Sequence, residues 1–161
     1  QQLRMPAVEP ELIFALIRQE SAFQTDARSV SNAIGLMQML PFTAIEVAGL
    51  KRSGRKHVEA KLRNPQFNLE NGCRYFQQLL KRLDGRIPLA LAAYNGGETR
   101  IRNVYERYGG KLDMEELIEL IPMTQSRQYV KAIFRNLNYY RRIYSQQPAD
   151  LPRFLGKTAS K

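Results

Sequence analysis

Pro88-Leu89-Ala90-Leu91-Ala92-Ala93-Tyr94 is apolar on every side of a helix, and Asn95-Gly96-Gly97 follows it. A helix without a polar face has no side to turn to water. This run is therefore expected to be a short helix buried in the middle of a domain and stopped by Asn95 to Gly97. Tyr94 and Asn95 then end the most buried segment of the chain. Toward the C-terminus, Ile101, Val104, Tyr105 and Tyr108 mark an amphipathic helix that Gly109-Gly110 closes. Asp113 can cap a further helix through Leu117, Ile118 and Ile121, ended by Pro122. After a Thr124 cap, Tyr129, Val130, Ile133, Phe134, Leu137, Tyr140 and Tyr144 predict the longest helix, and residues 146–161 form a peripheral, Pro-containing tail.

Toward the N-terminus, Asn64-Pro65 opens a helix running to Leu83, with Leu69, Cys73, Phe76, Leu80 and Leu83 on one side and Asp84-Gly85 at its end. Gly72 lies in that stripe and costs about 1 kcal/mol against Ala in a helix, so it is expected to admit a neighbouring helix at close range. Cys73 reads as packing. Lys51 to Arg63 reads as a solvated basic loop, in which His57 has no assigned role. Pro41 opens a short helix closed by Gly49, Ser29 to Asn32 is a loop, and Glu9 to Phe23 is helical, with Pro10 at its start. The fold class is all-α or mainly α, a single domain over residues 1–161 with several helices around one buried central helix and minimal β structure. No repeat and no strong strand pattern is visible.

The 25 Lys and Arg against 15 Asp and Glu give a formal charge of +10, which favours an anionic polymer as partner. Charge alone does not rank nucleic acid, acidic lipid and bacterial cell wall. No helix combines a basic face with aromatic spacing, so nucleic acid is not expected. No apolar run approaches the roughly 18 residues of a membrane span. The lone Cys73 excludes an intrachain disulfide and a Cys-based zinc site, and with His57 the only histidine no metal or cofactor is expected. The chemistry must come from carboxylates, hydroxyls and amides. Gln1-Gln2-Leu3-Arg4 has neither an initiator Met nor a signal-peptide core, as in a processed or excised segment.

Glu20 is the unusual residue, because it continues the stripe of Ile13, Leu16 and Ile17 and so projects toward the apolar side. Burial disfavours a charged carboxylate, which suits a group that must hold a proton near neutral pH. By spacing alone, a frayed last turn that leaves Glu20 in solvent, or paired with Arg18 or Arg28, explains it as well. Asp26, in the following loop, reads as a turn residue.

The set Glu20-Ser21, then Gly35-Leu36-Met37-Gln38, then Ala92-Ala93-Tyr94-Asn95-Gly96-Gly97 resembles the soluble lytic transglycosylase family, whose short motifs occur in this order on a lysozyme-like helical domain. The likeness extends through Asn64-Pro65, Asn68 and Gly72 to Ile121-Pro122 and Arg127-Gln128-Tyr129-Val130. It implies a single catalytic acid, Glu20, which protonates the glycosidic oxygen between N-acetylmuramic acid and N-acetylglucosamine in peptidoglycan and then acts as base. The sugar's own 6-hydroxyl closes a 1,6-anhydro ring, so no second carboxylate and no water are required. The resemblance further implies substrate contacts from Ser29, Met37, Gln38, Tyr94, Asn95 and Gln125. Turn formation, core packing and a helix stop are the plainer readings of Ser29, Met37 and Asn95. Where the family can carry a Glu that helps recognise the peptide stem, this chain has Gln125, without the charge for a salt bridge. Glu119 reads either as support for the cleft or as a surface residue of its helix.

By the same resemblance, the expected setting is the periplasm or bacterial cell envelope, and the chain is expected to act as a monomer. A muramidase hydrolysing the same bond is the nearest alternative. A non-catalytic basic module for cell wall or nucleic acid is the alternative from another class.

Overall fold

The computed structural model describes residues 8–50, 55–108 and 112–145. They fall into two compact units, Val8–Tyr75 and the chain from Phe76 onward.

In the unit Val8–Tyr75, α1 (Pro10–Ser21) starts with Pro at a first-turn position and Glu11 at the positive helix end, and buries Leu12, Ala15, Leu16, Ile17 and Ser21. The buried face is rotated from the one read in the sequence: Ile13 is half-buried and Leu12 takes its place. α1 stops at two consecutive left-handed residues, Ala22 (φ 49°) and Phe23 (φ 67°), each costing about 1–2 kcal/mol for a side chain other than glycine. The helix ends there, directly after Glu20 and Ser21. α2 (Pro41–Ala48) opens on Pro41 and closes on Gly49 in the left-handed conformation, as its sequence predicts.

The basic segment expected to be a loop contains a helix, α3 (Arg55–Leu62). Its physical reason is the pair Val58 and Leu62, one helical turn apart and both 0% exposed, which anchors an otherwise charged segment. Two apolar positions among so many cations are too few for periodicity to register. His57 on this helix is exposed, while Lys51 to Gly54 lie outside the described residues. Arg28 pairs with Glu59 of α3 at 3.3 Å.

α4 (Pro65–Arg82) is capped as expected, the Asn64 side-chain oxygen accepting from the Phe67 N–H at 2.9 Å. Its early buried face differs from the predicted stripe: Leu69 is exposed, Cys73 half-buried, and Asn68, Asn71 and Gly72 point inward. Gly72 does admit a close neighbour, but that neighbour is the Met37 side chain from a turn rather than a helix, and a Cβ there would overlap it.

In the unit from Phe76, α5 (Ile87–Gly96) is the predicted apolar helix, with every residue from Pro88 to Ala93 buried. α6 (Glu98–Tyr108), α7 (Met114–Glu119) and α8 (Thr124–Tyr140) all pack on it. α5 runs through Asn95 and Gly96 and ends at Gly97 (φ 91°), so Gly97 rather than Asn95 is the stop. α7 carries the predicted Asp113 cap, completed into a capping box by Glu116. α8 buries Tyr129, Val130, Ile133, Phe134 and Leu137, but the expected Thr124 cap is absent. Met123 holds the cap position, and Thr124 Oγ1 accepts from Arg127 Nη2 at 3.0 Å instead. One π-helical turn, Arg141–Ser145, follows, placing Tyr144 beyond α8, exposed and stacked on Tyr140.

Gly109-Gly110 and residues 146–161 lie outside the described residues. Among those described there is no strand, only the isolated bridges Arg28↔Ile34 and Ile34↔Met39, so the fold is mainly helical as read. No described helix is long and apolar enough to cross a membrane.

Candidate active site

Glu20 lies in the last turn of α1, half-buried, with Ser21 still helical after it, so the turn is not frayed at Glu20. Ser21 is buried, and its hydroxyl contacts two carbonyl oxygens, Ile17 at 3.3 Å and Leu36 at 2.9 Å. The second bond ties the end of α1 to the turn Gly35-Leu36-Met37-Gln38. Arg28, a candidate partner of Glu20 by sequence, bonds the Asn32 side-chain oxygen at 2.9 Å as well as pairing with Glu59. Asp26 is exposed in a turn.

The Gly35–Gln38 turn closes on a Gln38 N–H to Gly35 C=O bond of 3.0 Å. Gly35 has φ 80°, and a Cβ there would overlap the Asn68 amide and the Leu62 carbonyl, so both conformation and space require glycine. Ile34 and Met39 exchange both backbone hydrogen bonds around the turn, at 3.0 and 3.1 Å. Gln38 has φ 45°, and its amide nitrogen donates to Ala27 O at 3.1 Å and Gly35 O at 2.9 Å. Two carbonyl acceptors dictate which end of the amide is nitrogen. Both amide protons are thereby committed to the backbone, and Gln38 has only its oxygen to offer a sugar hydroxyl.

Ser29 is half-buried, and its hydroxyl accepts from the Ala33 N–H at 3.0 Å and shares a hydrogen bond with the Ser31 hydroxyl at 3.0 Å. The side chain is thus part of the turn that shapes its own loop. Met37 is 0% exposed, seated against Gly72 with its sulfur 3.9 Å from Cys73 Sγ, which is core packing. Glu20, Ser29, Met37 and Gln38 thus all belong to the unit Val8–Tyr75.

In the unit from Phe76, Tyr94 stands half-buried near the end of α5, its ring edge-on to Phe76 with centroids 6.2 Å apart. Exposed Asn95 accepts from the Ser126 hydroxyl at 2.9 Å. Gln125, adjacent to Ser126 in the first turn of α8, is exposed. Tyr94, Asn95 and Gln125 therefore cluster where α5 ends and α8 begins. Glu119 is a surface residue, its carboxyl held below the usual range by hydrogen bonding to Lys131, at 2.7 Å. The groove of about 720 Å³ between α7 and α8, lined by Ile118, Glu119, Val130 and Phe134 among others, includes none of Glu20, Ser29, Met37, Gln38, Tyr94, Asn95 and Gln125.

Sequence reading assigned no role to Ser21, Asn68 or Ser126, all of them buried. The available signal was positional: each is a polar side chain at a helical spacing that faces inward.

A family model for the transglycosylase SLT domain matches residues 1–117. The soluble lytic murein transglycosylase of Salmonella typhimurium is 32% identical over 135 residues, which cover 84% of this chain and 21% of that protein. The crystal structure of the 70 kDa soluble lytic transglycosylase of Escherichia coli superposes with a TM-score of 0.79 at 28% identity, over 94% of this chain and 24% of that one. A lytic transglycosylase structure from Pseudomonas aeruginosa, of an inactive mutant with one Glu replaced by Gln, gives 0.77 at 34% identity over 88% of this chain and 23% of that one. The chain thus spans less than a quarter of the length of these relatives. With all three motifs in place on a matching helical fold, the chain belongs to the transglycosylase SLT domain family.

Proposed function

We propose that this chain is a lytic transglycosylase domain that cleaves the β-1,4 bond between N-acetylmuramic acid and N-acetylglucosamine of peptidoglycan. The observation that carries the reading is Glu20, half-buried in the last turn of α1 and tied through Ser21 to the turn bearing Gln38. The Glu20 carboxyl gives its proton to the glycosidic oxygen as the bond to C1 of the muramic acid breaks, releasing the 4-hydroxyl of the leaving sugar. The resulting carboxylate takes the proton of the muramic 6-hydroxyl as that oxygen bonds to C1. The acid is restored, a 1,6-anhydro ring closes, and no water is consumed. One carboxyl suffices because proton donation and proton removal are successive.

In the unit of Glu20, the Gln38 oxygen accepts from a sugar hydroxyl and the Ser29 hydroxyl orients the N-acetyl group; in the unit from Phe76, Tyr94 offers the glycan a ring face and a phenol. Asn95 adds a polar contact, and Met37 supports the Gln38 turn from beneath. Gln125, uncharged, reads a peptide stem by hydrogen bonding alone. The chain acts as one catalytic domain and as a monomer in the bacterial envelope, where the net charge of +10 holds it on acidic wall polymer.

Mass analysis of the fragments released from purified peptidoglycan tests the proposal. Anhydro-muramic ends, one water lighter than hydrolytic products, are expected; reducing muramic ends would refute the internal nucleophile and leave the muramidase reading.

A further inference from the structure

Asn68, on the first turns of α4, is 0% exposed, and its whole amide is used. Its nitrogen donates to Ile34 O at 2.8 Å and Leu62 O at 2.9 Å, and its oxygen accepts from the Met37 N–H at 2.8 Å. Of these three backbone partners, Met37 lies in the turn that presents Gln38 and Ile34 immediately precedes it. Gly35 lies directly on the Asn68 amide, with no room for a Cβ between them. From α1, the buried Ser21 hydroxyl donates to Leu36 O at 2.9 Å. Ile34, Leu36 and Met37 are therefore gripped by two buried polar side chains from two helices. One grip is adjacent in sequence to Glu20, and the gripped segment is adjacent to Gln38. Buried polar groups that are fully satisfied hold a unique arrangement, because any displacement leaves a donor or acceptor without a partner.

We infer that Ser21 and Asn68 are positioning residues of the active site: together they fix the Gly35–Gln38 turn, and with it the Gln38 amide oxygen, against the end of the helix that carries Glu20. The inference rests on the proposed reaction for its catalytic meaning and on the hydrogen bonds for its geometry. Neither residue touches substrate in this scheme; each acts through Gln38.

The test is a double-mutant cycle. Ser21→Ala deletes one tether, and the isosteric Asn68→Asp keeps the acceptor for Met37 while replacing both donors with an oxygen that faces two carbonyls. Each is made in the parent and in a Gln38→Ala background, and kcat/KM on soluble glycan strands is measured beside the thermal midpoint. In the parent, Ser21→Ala is expected to cost roughly two- to tenfold, as for one neutral hydrogen bond. Asn68→Asp is expected to cost on the order of 100-fold, as for a misplacement of about 1 Å. In the Gln38→Ala background both costs should fall by more than twofold, because the turn no longer has its group to place. Equal costs in the two backgrounds would show a merely structural role and overturn the inference.

Amide hydrogen exchange reads the geometry without the reaction: Met37 and Gln38 should exchange at least about twofold faster in Ser21→Ala, and unchanged exchange also overturns the inference. If the parent protein releases no fragments, the proposed reaction fails, while exchange still decides whether the tethers hold the turn. Should Asn68→Asp not fold, Ser21→Ala carries both measurements.

Discussion

The Ser126 hydroxyl, 1% exposed as a residue in the first turn of α8, donates to the Asn95 side-chain oxygen near the end of α5 at 2.9 Å. Gly96 makes this approach feasible, since a Cβ there would lie 2.5 Å from Met123 Cε and 2.6 Å from Ser126 Oγ. Met123 can swing its terminal methyl aside, whereas Ser126 must give up its bond to Asn95. Gly96→Ala should therefore destabilise the protein by about 1–2 kcal/mol despite the better helix propensity of Ala. Thermal unfolding should show a midpoint lower by roughly 2–8 °C, and an unchanged or raised midpoint would contradict this packing.

Glu20→Gln keeps the size of the side chain and removes its capacity to give or take a proton. Release of fragments from purified peptidoglycan should fall by roughly 10²–10⁴-fold, with circular dichroism and pelleting with insoluble wall unchanged. A folded variant that still cuts would move the chemistry to another group, and Asp26 would be the first to examine.

Ser29→Ala removes the acceptor for the Ala33 N–H while the backbone pair Ser29 N–H to Ala33 O, at 3.0 Å, remains. Two losses should appear together: about 1 kcal/mol of stability, and a two- to twelvefold drop in rate if the hydroxyl also meets substrate. A drop in midpoint with an unaltered rate would confine Ser29 to shaping its loop.

Cys73 is half-buried beside Met37, and burial pushes its thiol above the ordinary value of 9.0. The thiolate is the reactive form, so a thiol-specific reagent at pH 8 should label native protein more slowly than urea-unfolded protein. The raised value also means that the folded state loses stability as pH climbs from about 9 through the higher native value. Labelling at equal rates in the two states would contradict the burial.

Attraction between the excess cations and acidic wall polymer is screened over about 8 Å at physiological salt. Raising salt from low to several hundred millimolar should release the Glu20→Gln variant from insoluble peptidoglycan in pelleting assays. Retention independent of salt would assign binding to the sugar contacts instead.

Helix starts and stops were legible in the sequence because they are local. Proline within the first turns of α1, α2, α4 and α5, and a positive-φ glycine after α2 and α5, act through the geometry of one turn. The apolar run Pro88 to Ala93 likewise had no polar face to turn outward, and it is buried throughout. Glu20 stood out for the same reason, as a carboxyl on an apolar stripe. Tertiary structure alone decided the rest, because the deciding contacts join residues far apart in the chain. α3 exists through two buried anchors, Val58 and Leu62, that its charge concealed. Asn68 turned inward and displaced Leu69 from the core because its partner Met37 stands 31 residues away, the same separation as Asn95 from Ser126. A buried amide is costly until its acceptors and donors are met, and only the folded chain brings them within 3 Å. The orientation of Gln38 follows the same rule: its two carbonyl partners determine that it presents an oxygen, which no reading of Gly-Leu-Met-Gln contains.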